Sequence, residues 1–333
     1  MRLLRYILKR LFLMLIVMFG VTVIVFVISH VIPADPVGMI LGDRVPTEQI
    51  EDMRGRLGLD KPIHKQFIDY MYGILHGDFG VSLITNKPVM EDIVTFFPAT
   101  LELALFSIFF SIVTGIILGV LSAVHRNSLI DHFSRVFSII GVSMPIFWIG
   151  LLLLLLFYFK LEWLPFGGRN SLFIIPEHIT GLVLLDSLIT KDWSAFWDGL
   201  VHIILPSAVL GYSSMASITR IMRASMLEVL KIDYIRTARS KGLPKFIVVY
   251  RHALRNALIP VVTVIGIRFG GLLGGAVLTE TIFSWPGLGR YLVKALLVLD
   301  YPAVTGGTLI IALIYSIANL IVDISYFALD PRM

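Results

Sequence analysis

Three ionisable residues stand inside or at the end of long apolar runs, where they could handle charge: Arg268, Glu280 and Asp323. A centred arginine costs about 2.5–3.5 kcal/mol on insertion scales, so such groups face a cavity or a partner, and a chain of them can relay charge. Arg268 lies ten residues into its run, counted from Leu258. That is about 15 Å at 1.5 Å per residue, near a bilayer centre. It is either a cation on a path, able to attract a carboxylate, or half of a structural ion pair. Glu280 closes the same run at its outer end, as a path-lining group or a structural hydrogen-bonding one. Ser143-Met144-Pro145 interrupts another run. A proline there frees a backbone carbonyl that can line a path, or it simply kinks the helix. The remaining candidates are poorer. The eight histidines form no HExxH, and no phosphate-binding G-x-x-x-x-G-K-[ST] occurs. Ser213 and Ser214 lack an evident His and Asp at matched depth, which leaves an intramembrane hydrolase without its base. With no cysteine there is no disulfide, thiol nucleophile or thiolate metal site.

What positions these residues is a membrane-spanning scaffold. The 333 residues are 57% hydrophobic and 15% charged, against about 25% charged in soluble domains. The pI near 9.4 does not point to nucleic acid, because the basic residues gather at the ends of apolar runs. Six runs reach the roughly 20 residues that a spanning helix needs: 11–32, 100–124, 136–159, 203–222, 258–279 and 303–327. The expected fold is all-α, with six transmembrane helices. The first run is too long for a signal peptide and lacks a cleavage pattern, so it reads as a retained helix. Four basic residues in the first ten and nine between Arg220 and Arg255 place both termini and that loop in the cytoplasm. The expected organisation is a first helix to residue 32, an extracytoplasmic segment 33–98, a core 99–327 with a charged cytoplasmic loop 225–257, and a cytoplasmic tail 328–333. The fourth run, with a proline, hydroxyl residues and arginines, suits a protein or water-lined environment better than lipid. TEQIEDMRGRLG and PIHKQFIDYMYGILHG read as short helices. Trp163, Trp193, Trp197 and Trp285 fall at outer ends, as interfacial anchors or as packing inside loops.

Two further patterns concern packing and docking. Gly266, Gly270 and Gly274 form an i, i+4, i+8 ladder on the fifth run, with Gly271 and Gly275 beside it. Such spacing lets helix backbones approach closely, within the subunit or between subunits. Arg268 points about 200° from Gly266 on the wheel. The stretch DYIRTARSKG, 233–242, is a short charged segment between apolar spans. Asp233 suits an N-cap and Gly242 a helix stop, with Pro244 opening the next helix. Eight residues are marginal as an isolated helix. The segment is therefore either a solvated basic loop near lipid or a docking helix, where small Ala238 would permit close approach and Gly242 would turn the chain back.

DYIRTARSKGLPKFIVVYRHALRNALIPVVTVIG resembles the cytoplasmic loop of permease subunits of bacterial ABC importers, named for a Glu-Ala-Ala…Gly pattern that here reads Thr237-Ala238-Arg239…Gly242. HVIPADPV, LGLDKPIHKQF, HGDFGVS, FPATLEL, SMPIFWIG, TETIFSWPGLGR and LDPRM also resemble the B-type permease of the dipeptide, oligopeptide and nickel branch. The resemblance implies that 233–242 is a coupling helix seated in an ATPase groove. Asp233, Tyr234, Thr237, Ala238, Arg239, Lys241 and Gly242 would do the coupling. It implies a heterodimer with a second permease, two ATPase subunits that carry ATP and Mg, and an extracytoplasmic binding protein. It also implies a transport subunit of the bacterial inner membrane that is not itself an enzyme. Di- or oligopeptide import is the expected activity. Nickel or another small solute is the alternative, and a proton-coupled transporter using Arg268, Glu280 and Asp323 is a further rival.

Overall fold

The computed structural model describes residues 2–31, 51, 60–171, 174 and 176–329. In chain order the helices are α1 (Arg2–Val31), α2 (Ile63–Leu75), α3 (Val89–Val124), α4 (Leu129–Ser143), α5 (Ile146–Lys160), α6 (Val183–Thr190), α7 (Trp193–Val229), α8 (Asp233–Ser240), α9 (Lys245–Ile282), α10 (Leu288–Leu297) and α11 (Tyr301–Leu329). Val248–Ala253 within α9 and Leu155–Lys160 at the end of α5 are π-helical. Among the described residues there is no strand beyond an isolated Val81–Pro88 bridge, and the fold is all-α. Within the described residues, five helices (α1, α3, α7, α9 and α11) are long and apolar enough to cross a membrane, and α4 with α5 makes a sixth if the bent pair is one span.

That pair carries the interruption expected at Ser143-Met144-Pro145. The chain bends through 113° between its two halves. Pro145 pushes Met144 into extended backbone, φ −88° and ψ 141°, which ends α4 before α5 can begin. Other spans also outrun their apolar cores. α3 starts at Val89 and α7 at Trp193, with Pro98 and Pro206 inside them. Interior prolines are tolerated in membrane helices because neighbours re-satisfy the freed backbone groups. The second expected short helix is α2. Most of the first, TEQIEDMRGRLG, lies outside the described residues.

The chain divides into two compact units. One comprises Met1–Phe97 and Gly287–Ser316. Its core joins Val89 and Ile93 to Leu288, Tyr291, Ala295 and Ala303. The turn before α3 is held by buried Asp300, which accepts from the Ser82 hydroxyl at 2.7 Å and the Leu83 N–H at 2.7 Å. Asp92 accepts from Thr85 at 2.6 Å and from the Tyr291 hydroxyl at 2.9 Å. Burial pushes the Tyr291 hydroxyl well above its usual range, and the adjacent Asp92 adds to the effect.

The other unit comprises Pro98–Pro286 and Ile317–Met333, with α7 as its most enclosed span. α3 reaches α7 through glycines. A Cβ on Gly115 would stand 2.7 Å from Ile218 Cγ2, and one on Gly119 would stand 2.6 Å from Met222 Cβ. The long loop after α5 is pinned by buried Glu102, which accepts from Arg169 Nε at 3.0 Å and from the Leu184 N–H at 2.8 Å. Trp285 is buried and donates its indole N–H to the Ala99 carbonyl at 2.8 Å. It is therefore a packing tryptophan. Trp163, Trp193 and Trp197 are exposed.

Candidate functional site

α8 forms the loop helix anticipated in the sequence. Its N-cap is Ile232 with no side-chain cap, so Asp233 is the first helical residue instead of the cap. Its charge still complements the positive end of the helix dipole. At the other end the Gly242 N–H donates to the Arg239 carbonyl at 2.9 Å, and the Leu243 N–H donates to the Ala238 carbonyl at 3.4 Å. That pairing is a Schellman stop, with Gly242 left-handed at φ +74°. Nothing lies within 4 Å of a Cβ built there, so conformation and not space calls for glycine. Pro244 follows as the N-cap of α9, one residue ahead of its expected first turn.

An apolar seat, unrecognised in the sequence, stabilises this short helix. Ile235 is fully buried and Ala238 nearly so. They are three residues apart and share one helix face. They join a cluster with Met226 and Val229 of α7, Val248, Val249, Ala253 and Ala257 of α9, and Val120 and Ala123 of α3. Burying an isoleucine side chain contributes about 1.5–3 kcal/mol. Tyr234 adds a polar tie: its hydroxyl donates to the His252 carbonyl at 3.3 Å and accepts from Asn256 Nδ2 at 2.7 Å. The close approach that Ala238 permits is thus to this chain's own helices. The face left open carries Asp233, Arg236, Thr237, Arg239, Ser240 and Lys241. The Asp233–Arg236 pair at 3.4 Å is almost wholly exposed and contributes little. Beside α8, the end of α3 (Val120, Leu121, Val124, His125) and the start of α9 (Lys245, Phe246, Val249, Tyr250) line an apolar groove of about 250 Å³.

A buried ionic clamp ties three helices near the same ends. Asp131 on α4 is fully enclosed. It accepts from Arg223 of α7 at 2.7 and 2.9 Å, from the Ser122 hydroxyl of α3 at 2.6 Å, and from the Asn127 N–H at 2.9 Å. Two-pronged arginine recognition of a carboxylate fixes geometry as well as adding energy.

The residues expected along a path are not gathered at one point. Ser143, Met144 and Pro145 are exposed at the α4–α5 break. Arg268 sits at the middle of the helix Leu254–Ile282, half-buried, and donates from Nη2 to the Ser217 hydroxyl of α7 at 2.7 Å. Among the described residues no carboxylate lies within ion-pair reach of it. Glu280 is fully buried and accepts from Thr100 at 2.6 Å. Twelve residues separate it from Arg268, about 18 Å of helix rise. Of the glycines, Gly270 is buried, whereas Gly271, Gly274 and Gly275 have open space where a Cβ would be.

Two family models cover the chain. The one described as "Binding-prot-dependent transport system membrane comp, N-term" matches residues 3–104, and "Binding-protein-dependent transport system inner membrane component" matches residues 115–333. The chain is 46% identical over 321 residues to the probable D,D-dipeptide transport system permease protein of Escherichia coli K12, covering 96% of this chain and 94% of the relative. It is 45% identical over 330 residues to the dipeptide transport system permease protein of Alkalihalophilus pseudofirmus, with 99% of each covered. It is 46% identical over 331 residues to the di/tripeptide transport system permease protein of Pseudomonas aeruginosa, covering 99% of this chain and 98% of that one.

Proposed function

This chain belongs to the family of inner-membrane components of binding-protein-dependent transport systems, and we propose from that premise that it imports di- or oligopeptides as one permease subunit of an ATP-driven ABC importer. The observation that carries the reading is end-to-end likeness to permeases whose names specify dipeptides or di/tripeptides. The geometry supports a division of labour within 233–242. Tyr234, Ile235 and Ala238 hold α8 to the bundle. Asp233, Thr237, Arg239 and Lys241 present an exposed charged face to an ATPase subunit, and Gly242 returns the chain to the membrane. α8 and both termini then lie in the cytoplasm, while the α2–α3 and α5–α7 connections face the binding protein. ATP and Mg sit on two partner ATPase subunits. The open glycines Gly271, Gly274 and Gly275 of α9 suit close packing against a second, homologous permease, with Gly266 and Gly270 nearer this chain's own core. Ser143, Met144, Pro145, Arg268 and Glu280 belong to or support the path, which opens alternately to each side as the ATPases close and part.

The test is reconstitution of the whole complex in proteoliposomes with its binding protein. ATP-dependent uptake of a labelled dipeptide without an ion gradient is expected. Uptake that ignores ATP and follows a proton gradient would point to the secondary-transporter alternative. ATP-driven uptake of nickel but not of peptide would transfer the same machinery to a different cargo.

A further inference from the structure

Two arginines of the unit Pro98–Pro286 and Ile317–Met333 illustrate how the fold normally treats a cation. Arg223 is held two-pronged by Asp131, and Arg169 by Glu102. Among the described residues, Arg268 meets only a hydroxyl, that of Ser217. Its place at the midpoint of the helix Leu254–Ile282, about 21 Å of rise from either end, makes that treatment unusual. One turn along α7 from Ser217 stands Arg220, exposed at its surface. Among the described residues neither Arg220 nor Arg268 has a carboxylate within ion-pair reach. Ser213, Ser217 and Arg220 recur at i, i+4 and i+7 and share one face of α7, so the hydroxyl that orients Arg268 belongs to a polar stripe. Intramembrane cations face a bundle interior or a water-filled cavity, and here none of the described residues supplies the anion that would complete the site.

Resting on the peptide-permease reading above, we propose that Arg268, supported by Arg220, is the station on the translocation path that receives the carboxylate of the passing peptide. The chemistry suits passage. A guanidinium stays charged wherever it is placed and so offers a lasting cation to a carboxylate. Ser217 occupies Nη2 through one hydrogen bond and leaves the other N–H donors to turn toward the path. A water-accessible charge pair contributes little enough to let the substrate leave again. The competing source of the missing anion is an acidic side chain of the second permease.

The experiment uses the complete transporter in proteoliposomes, with labelled Ala-Ala delivered by saturating binding protein. Wild type, Arg268→Gln and Arg268→Lys are compared for maximal uptake rate, for the concentration of loaded binding protein at half-maximal rate, and for co-purification of the partner subunits. The Gln variant is expected to assemble normally and keep its half-saturation, with a maximal rate about fivefold lower, the upper end for a solvated charge pair. The Lys variant is expected to keep most of the rate. Wild-type transport by Arg268→Gln overturns the proposal. So does a Lys variant as slow as the Gln variant, because charge would then be irrelevant. Loss of the partner permease from the purified Gln complex also overturns it, and assigns Arg268 to a subunit ion pair. A wild-type complex that carries another solute but not Ala-Ala overturns the peptide reading, and this station with it.

Discussion

Arg223→Met should be among the most damaging single changes in the protein. It leaves the Asp131 carboxylate fully enclosed with the Ser122 hydroxyl and the Asn127 N–H but no counter-charge, because Arg135 at 3.6 Å is itself about half exposed. Breaking a buried pair from one side costs about 3–5 kcal/mol. The Arg223 side chain keeps 21% of its exposure, so solvent screening places the expected loss near 3 kcal/mol, about two orders of magnitude in the folding equilibrium. Asp131→Leu should cost less, since the freed guanidinium can reach water. The double variant Asp131→Leu/Arg223→Met removes both charges and should recover most of the loss. What remains is about 1–2 kcal/mol for the Asn127 N–H left without its acceptor. A coupling of about 2 kcal/mol is therefore expected in the double-mutant cycle. Detergent-titrated unfolding of the purified subunit in mixed micelles measures all four species. Simple addition of the two single losses would refute the claim that one ion pair ties α3, α4 and α7.

Ile235→Ala empties a fully buried position and should destabilise the seat of α8 by about 2–5 kcal/mol. The readout is faster trypsin cleavage at Arg236, Arg239 and Lys241, and unchanged cleavage would reject the seat as what holds the helix. Gly242→Val forces a branched side chain to φ +74°, a region that costs an L-residue about 1–2 kcal/mol or more. Membrane insertion should survive while ATP-driven uptake falls, with Gly242→Asn milder, and equal uptake by both variants would contradict the account of the turn. Asp186 is buried, which opposes its charge, yet the Thr180 hydroxyl and the N–H groups of Thr180, Ile179 and Gly181 hold it below the usual carboxylate range. Its stabilisation is complete above about pH 4 and is lost as pH falls through the lowered folded value. The stability gap between wild type and Asp186→Asn should therefore close on acidification from about pH 6 to pH 3, and a gap that stays constant would refute the linkage. Single cysteines at Ser240 and Lys87 in this cysteine-free chain should label from opposite membrane faces, and labelling of both from outside would overturn the topology.

The apolar runs and their flanking charges made the spans legible, because hydrophobic length is a local property. The failures have two physical causes. Helix length depends on what covers a helix, so α3 and α7 pass through Pro98 and Pro206 that punctuate the sequence without breaking the structure. The ionic and hydrogen-bonded ties are remote in the chain. Arg223 and Asp131 are 92 positions apart, and Arg169 and Glu102 are 67 apart. Nothing local to either member names its partner, and only folding makes a pair of them. Ile235 was within reach of inspection. With Ala238 it forms an i, i+3 apolar stripe that the surrounding arginines obscure. Gly242 was readable because a stop after a short helix is a backbone requirement carried by one residue. The open glycines of α9 show the opposite limit, since spacing alone could not say which of Gly266, Gly270, Gly271, Gly274 and Gly275 would face outward.

The seating of α8 has a mechanical consequence. Only Leu230–Ile232 join it to α7, and only Lys241–Pro244 join it to α9. Both neighbours are struts of about 55 Å at 1.5 Å per residue, 37 and 38 residues long. A tether so short at each end has almost no slack, and the Ile235 and Tyr234 anchorages remove the remaining play. A displacement of one ångström imposed on the charged face cannot be absorbed as loop compliance. It must appear as translation or tilt at the ends of two of the longest rods in the subunit. On the proposed docking of an ATPase subunit at its charged face, the segment would act as the crosspiece of a stiff linkage, and its output would depend on rigidity that a single cavity at Ile235 would soften.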